Sequence, residues 1–120
     1  MEIKNARIES TSLGTEDHGI MTYTLYLDYG GSCQGFGGFA LDDPPLKGKK
    51  DRIGVAYGIE SVMRILRVVG VEKWEDLPGR YIRVKSKEGG GWNSEISSIG
   101  NILEDEWFDP KELAEELGIK

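Results

Sequence analysis

The chain has 120 residues, of which 38% are hydrophobic and 30% charged, and this balance predicts one soluble folded domain. No apolar run approaches the roughly 18 residues that a membrane span needs, and charges are spread through the N-terminal segment. We therefore expect neither a membrane-spanning nor a secreted protein. The single cysteine, Cys33, excludes an internal disulfide and makes a thiolate zinc site implausible.

The net charge of -6 is concentrated at one end of the chain. Residues 1–94 carry 13 acidic and 13 basic side chains, whereas residues 95–120 carry eight acidic side chains against two lysines. The molecule is therefore expected to be electrically polarised. Its acidity disfavours duplex nucleic acid as a partner, because phosphate contacts dominate such affinity.

The first part of the chain predicts an antiparallel meander. A strand candidate at 2–12 is followed by turn-like residues at 14–19 and by a clear strand at 20–29, whose odd positions are apolar. A third strand is expected at 33–41. Five glycines between positions 30 and 38 indicate either a bend in a curled sheet or close approach of a ligand to the main chain. Cys33 is interpreted as a small packing residue because no cation lies near it.

The central part predicts an exposed loop and then an amphipathic helix. Residues 42–54 have the composition of a loop, without regular structure. The helix is expected from Val55 to Val69, with Asp51 or Gly54 at its N-terminal boundary and Gly70 at its end. Its apolar stripe recurs at four-three spacing: Val55, Ile59, Val62, Leu66 and Val69. Gly54 and Gly58, four residues apart, are expected to allow close packing against a strand.

The last part predicts a second hairpin and a terminal helix. Residues 72–79 read as a short turn and residues 80–86 as a strand with Ile82 and Val84 inward. A glycine-rich connection at 88–91 leads to its partner strand near 92–99. Asp109 is a good N-cap for a short helix that ends near Gly118. The sequence therefore predicts an α+β domain: a curled antiparallel sheet of about five strands, one main packing helix and a short C-terminal helix.

Candidate catalytic groups are sparse. His18 is the only histidine, and its neighbour Asp17 supplies a carboxylate, which is the raw material of a general base. One hypothesis is a small hydrolytic or transfer enzyme that uses this pair. The simpler alternative is that His18 belongs to a turn and has no catalytic role. Any metal site would need carboxylates such as Asp42 and Asp43, whose spacing matches no calcium loop. We predict no metal and no cofactor.

A basic cluster precedes the main helix. Lys49, Lys50 and Arg52 lead to Gly54 and Tyr57 at the helix start, where exposed amides and the helix dipole favour anions. This arrangement predicts a site for a small anionic or nucleotide ligand, although it lacks the motif of a phosphate-binding loop. A solvated loop is the alternative interpretation.

The acidic run near the C-terminus contains two large aromatic residues. It predicts a partner-binding surface formed by Glu104, Glu106, Trp107, Phe108 and Asp109, suited to a basic groove on another protein. The alternative for Trp107, as for Trp74, is that its ring covers the small core. Trp92 lies in a glycine-rich segment, and three roles stay open for it: anchoring an interface, stacking on a base or covering the core.

Several segments resemble a family of small proteins encoded by tailed phages and prophages. The match extends over almost the whole chain, and the segments that carry it are Leu13-Gly14, Glu16 to Ile20, Gly35 to Asp42, Val68 to Val71, Trp74 to Leu77, Ile82 to Val84, Ile99-Gly100 and Trp107 to Asp109. The resemblance implies a phage origin, a bacterial cytoplasmic setting and a role in countering or redirecting a host system. It supplies no activity and no catalytic residues. A host bacterial protein is accordingly the expected partner.

Overall fold

A computed structural model describes residues 2–86 and 95–118. Its elements, in chain order, are β1 (Glu2–Asp17), β2 (Ile20–Asp28), β3 (Cys33–Gly37), β4 (Asp42–Asp43), β5 (Ile53–Gly54), α1 (Ala56–Val69), a 3-10 turn (Trp74–Asp76), β6 (Tyr81–Ser86), β7 (Ile96–Asn101), β8 (Trp107–Phe108) and α2 (Pro110–Glu116). The predicted α+β class is confirmed. No helix within these two ranges is long and apolar enough to cross a membrane.

The main sheet contains six strands in the order β3-β2-β1-β6-β7-β8, one more than the sequence predicts, and all of its pairings are antiparallel. Helices α1 and α2 pack against β7, and α1 also packs against β8; we call the opposite face of these strands the open face. Alternation along β2 places Tyr23, Leu25 and Leu27 in the core with no exposed surface, as the period-two pattern predicts. In β6, Ile82 and Val84 point the same way.

The first hairpin is tighter than predicted. Strand β1 continues through Asp17, so residues 14–17 are strand and the turn consists only of His18 and Gly19. Both turn residues have positive φ, 55° and 81°, as a two-residue hairpin turn of the favoured hand requires. An irregularity between Ile8 and Ser10 shifts the alternation within β1, which explains why this strand is the less obvious one in the sequence.

The glycine-rich segment is shaped by packing within the chain. At Gly37, φ is 126°, and a side chain there would collide with the carbonyl oxygen and ring of Tyr23. The close approach is therefore to the neighbouring strand, which accords with the bend interpretation. Cys33 is exposed on the edge strand β3, so its interpretation as a packing residue is wrong.

The loop between β3 and α1 is more ordered than predicted. Strands β4 and β5 pair as a separate two-stranded ladder, and Arg52 beside it forms an ion pair with Asp42. The ladder joins the two ends of the basic loop. The expectation of a segment without regular structure is therefore wrong at both of its ends.

Helix α1 has the predicted length but a rotated buried face. The helix begins at Ala56, so neither Asp51 nor Gly54 is its boundary, and Gly70 ends it in the left-handed conformation, as predicted. Ile59 is 63% exposed, which contradicts its place in the predicted stripe. The buried residues are instead Tyr57, Gly58, Ser61, Ile65, Val68 and Val69. Gly58 alone of the predicted glycine pair is tightly packed, because nothing lies near Gly54.

The second hairpin and the terminal helix are present. Strand β7 pairs with β6, but it begins at Ile96 and runs to Asn101, later than predicted. The predicted connection at 88–91 and Trp92 lie outside the described residues. Asp109 is the N-cap of α2, as predicted, and Leu113 anchors this helix in the core with no exposed surface.

Candidate functional site

The aromatic pair of the C-terminal segment is divided between the two faces of the sheet. Strand β8 is two residues long, and alternation turns Trp107 outward beside Gly100 and Phe108 inward beside Ile99. Phe108 is only 1% exposed. Its predicted place on a partner-binding surface is therefore wrong, since a ring in the core cannot contact a partner.

Trp107 lies flat on the open face of the sheet. A side chain at position 100 would come within 2.5 Å of the indole, so glycine is what lets the ring lie against the backbone there. The indole nitrogen donates a hydrogen bond of 2.9 Å to Asp105 Oδ1. Lys85 Nζ and Arg83 Cζ lie 4.1 and 4.9 Å from the ring centroid, within the range of cation–π attraction. The alternative role of Trp107 as a cover for the core is thus wrong.

Trp74 does occupy the place expected of a core cover. It is partly buried against the core cluster, and its ring meets Tyr23 edge-on at 6.3 Å between centroids. This geometry is favourable for aromatic pairs. The two tryptophans therefore have different structural roles, although the sequence gives them similar polar surroundings.

A surface groove of 530 Å³, which we call the acidic groove, surrounds the exposed part of Trp107. Its lining combines carboxylates, two serines, one lysine and the indole: Lys85, Ser97, Ser98, Asp105, Trp107, Asp109 and Glu112. Three carboxylates thus share one depression with an aromatic ring. Charge and aromatic surface together suit a cationic side chain.

Glu104 and Glu106 lie beside the acidic groove in the exposed loop between β7 and β8. Their main chains order this loop, because Arg83 donates to the carbonyl of Glu104 at 2.8 Å and the Asn101 amide donates to that of Glu106 at 2.9 Å. Their carboxylates face solvent. The structure therefore brings four of the five predicted partner-binding residues to one region and removes only Phe108.

Asp109 has two roles. Its Oδ1 accepts hydrogen bonds from the amides of Lys111 at 2.8 Å and Glu112 at 3.3 Å, which caps α2. The same side chain lines the acidic groove. The groove residues absent from the predicted surface are Lys85, Ser97, Ser98, Asp105 and Glu112. The acidic run is a sequence signal for Asp105, and the outward alternation of Lys85 in β6 gives only the face on which it lies.

The predicted anion site is divided by the fold. Lys49, Lys50 and Arg52 line a shallow depression of 640 Å³ in the loop. Gly54 belongs to β5, and Tyr57 is buried with its hydroxyl donating to the carbonyl of Pro110 at 3.4 Å. Burial raises the pKa of the Tyr57 hydroxyl, so it remains neutral. Only the three basic residues share one surface.

Arg52 is already paired. Its Nε and one terminal nitrogen donate to the two carboxylate oxygens of Asp42 at 2.9 and 3.1 Å. These hydrogen bonds lower the pKa of Asp42 and raise the pKa of Arg52. Because the guanidinium satisfies this carboxylate, Lys49 and Lys50 are the cations that remain available to an anion.

The Asp17–His18 pair lies at the tip of the first hairpin. His18 Nδ1 is 2.8 Å from Asp17 Oδ1, and the two side chains are 91% and 57% exposed. Asp17 is the only side chain bonded to His18 among the residues described here. A general base needs a nucleophile or substrate held within hydrogen-bond reach, and this exposed tip positions none. No group of three metal-ligating side chains occurs within the described ranges.

Comparisons with protein-family models, with curated proteins and with solved structures give no match for this chain. The resemblance to small phage and prophage proteins accordingly stays a prediction from the sequence.

Proposed function

We propose that this chain is a non-enzymatic binding protein that occupies a host factor through its acidic C-terminal surface. The partner is expected to present a basic segment. The phage origin and bacterial cytoplasmic setting implied by the sequence resemblance belong to the same proposal. Its role there is to inhibit or redirect the host factor, as in the countering of a host defence.

One observation carries the proposal: Asp105, Asp109 and Glu112 share the acidic groove with Trp107. Lys85 and Arg83 already lie over the indole, so the groove offers a further cation its three carboxylates, beside a ring that supplies apolar surface. Glu104 and Glu106 add two exposed charges at its margin. Residues 95–120 hold eight acidic side chains against two lysines, an excess that steers a basic partner toward this end of the molecule.

The proposal is tested by neutralising two groove carboxylates together, Asp105→Asn and Glu112→Gln. Used as bait in a bacterial lysate, this variant should retain roughly one tenth of the partner captured by the wild type, since each charge pair is worth up to about 1 kcal/mol. The control carries the same charge change at the exposed residues Glu72→Gln and Glu75→Gln, outside the groove lining. Equal capture by all three baits, quantified by mass spectrometry, would contradict the proposal.

A second candidate function is the binding of a small anion, such as a nucleotide, at the basic loop. The observation that favours it is that Lys49, Lys50 and Arg52 line one depression. A ligand at one hundred times its Kd would add about 2.7 kcal/mol to the stability of the folded chain. Thermal unfolding with nucleotides and with inorganic phosphate should show this increase, and the paired substitutions Lys49→Gln and Lys50→Gln should remove it.

A further inference from the structure

A second cavity lies next to the acidic groove, and its walls are mainly apolar. We call this cavity the apolar cleft. It has a volume of 510 Å³, and its walls include Phe39, Tyr57, Ile96, Pro110 and Ala114. The volume lies within the range of about 300 to 1,000 Å³ that is usual for binding cavities. It is large enough for one bulky side chain.

Phe39 forms one wall of the apolar cleft. Gly37 and Gly38 both have positive φ and turn the chain after β3, and the amides of Gly38 and Leu41 bond to carbonyls of β2 at 2.7 and 2.8 Å. The Phe39 ring packs against Tyr23 at 6.5 Å between centroids, yet it remains 41% exposed. A fixed aromatic ring that is still exposed at the mouth of a cavity is typical of an interface anchor.

Helix α2 forms the opposite wall. Leu113 is completely buried beneath it, and the guanidinium of Arg64 in α1 holds the two carboxylate oxygens of Glu116 at 3.1 and 2.8 Å. Tyr57 reaches from α1 to the first residue of α2 through its hydroxyl. The apolar cleft is therefore preformed between fixed elements, which lowers the entropic cost of binding.

The apolar cleft and the acidic groove are adjacent. Ser97 and Asp109 line both cavities, so the two share one border. Glu95 and Lys111 also line the cleft, while Glu112 lines the groove. A short extended segment can therefore place an apolar side chain in one cavity and a cation in the other.

We infer that the apolar cleft receives a large aliphatic or aromatic side chain of the same basic segment that the acidic groove binds. This inference rests on the proposed function and specifies its partner as a peptide segment in which an apolar anchor adjoins lysine or arginine. Charge complementarity with Asp109 and Glu112 selects the basic residues. Burial of one leucine side chain in the cleft accounts for a factor of about ten or more in affinity.

The test uses acetylated and amidated peptides in which a leucine is joined through a glycine spacer of varied length to a Lys-Arg pair. Matched peptides carry glycine in place of the leucine. Binding to the full chain is followed by amide chemical shifts in NMR spectra. The best leucine peptide should bind about tenfold more tightly than its glycine counterpart, and its shifts should include Ile96, Ala114 and Glu112.

Two variants remove the apolar cleft in different ways. Ala114→Leu fills it from α2, and Phe39→Ala removes a wall at an exposed position. Each should abolish the tenfold advantage of the leucine peptide and leave binding of the glycine peptide unchanged. Ala56→Leu, at an exposed position in the first turn of α1, is the matched control and should change neither affinity. Because the two cleft variants act on different elements, misfolding of one leaves the other informative.

The outcomes separate the cleft from the groove. Equal affinities for leucine and glycine peptides, both weakened by Asp105→Asn with Glu112→Gln, would overturn the inference and leave the proposed function standing. Absence of binding by every peptide would overturn both. Concentration-dependent shifts at Ala114 in the free protein would assign the cleft to a second copy of the chain and overturn the inference as well.

Discussion

The close contact between Gly58 and Leu41 predicts that replacing this helical glycine with alanine lowers stability, which is the reverse of the usual effect. In an exposed helix, replacing glycine with alanine stabilises by about 1 kcal/mol. At position 58, however, the added methyl would overlap the carbonyl oxygen of Leu41 and lie 3.0 Å from its carbonyl carbon and Cβ. Overpacking of this kind costs up to about 3 kcal/mol, because backbone rather than a flexible side chain must move. We therefore expect Gly58→Ala to destabilise by about 2 kcal/mol.

Urea unfolding measures this free energy directly, and thermal unfolding should show Tm about 8 °C lower. Gly54→Ala is the matched control, because no atom of the residues that the structure describes, apart from its chain neighbours, lies within 4 Å of the position where its methyl would be built. That control should change stability by less than about 0.5 kcal/mol. If Gly58→Ala were as stable as the wild type or more stable, the close approach of α1 to Leu41 would be refuted. Tyr57 and Phe39 both line the apolar cleft, so the distance between these two wall residues would then be in question too.

Two further predictions concern the core and the carboxylates. Phe108→Ala should destabilise by about 3 to 5 kcal/mol in urea unfolding, because its ring is 1% exposed, and a loss below about 1 kcal/mol would contradict that burial. Hydrogen bonds from Arg52 and Arg64 lower the pKa values of Asp42 and Glu116 from 3.8 and 4.5, so the unfolded chain binds more protons near those pH values. Stability should be full above about pH 5 and fall as the pH drops through the folded-state pKa values. Asp42→Asn should flatten this fall when unfolding is repeated along the pH series, and an unchanged slope would argue against the Asp42–Arg52 pair.

Strong hydrophobic periodicity predicted the regular elements correctly where burial of one face determines the structure. In β2, apolar residues at alternate positions identify the buried side, and Tyr23, Leu25 and Leu27 are indeed fully buried. The buried face of α1 was predicted incorrectly, because only large apolar residues were counted. Ser61 is completely buried, and its hydroxyl is satisfied within the helix by the carbonyl of Tyr57 at 2.7 Å. A small polar residue bonded to its own helix can thus face the core, and this rotates the buried stripe away from Ile59.

The candidate site was predictable only in part for a similar reason. The acidic run identified the region of the surface, and the capping role of Asp109 was predicted correctly. Composition could not show that Phe108 turns inward, because that depends on its pairing beside Ile99. The approach of Lys85 to Trp107 likewise depends on strand order, which places β6, β7 and β8 side by side. Long-range pairing of this kind leaves no local pattern in a sequence.

Asp109 both caps α2 and lines the two cavities, and this limits how the surface can change over evolutionary time. Replacement of Asp109 by alanine would therefore loosen the helix and change both cavities together. Asparagine preserves the cap and removes only the charge. Under the proposed binding function, asparagine is one of the few residues at this position that would suit a less basic target and still cap α2, so folding and target choice would constrain each other through a single side chain.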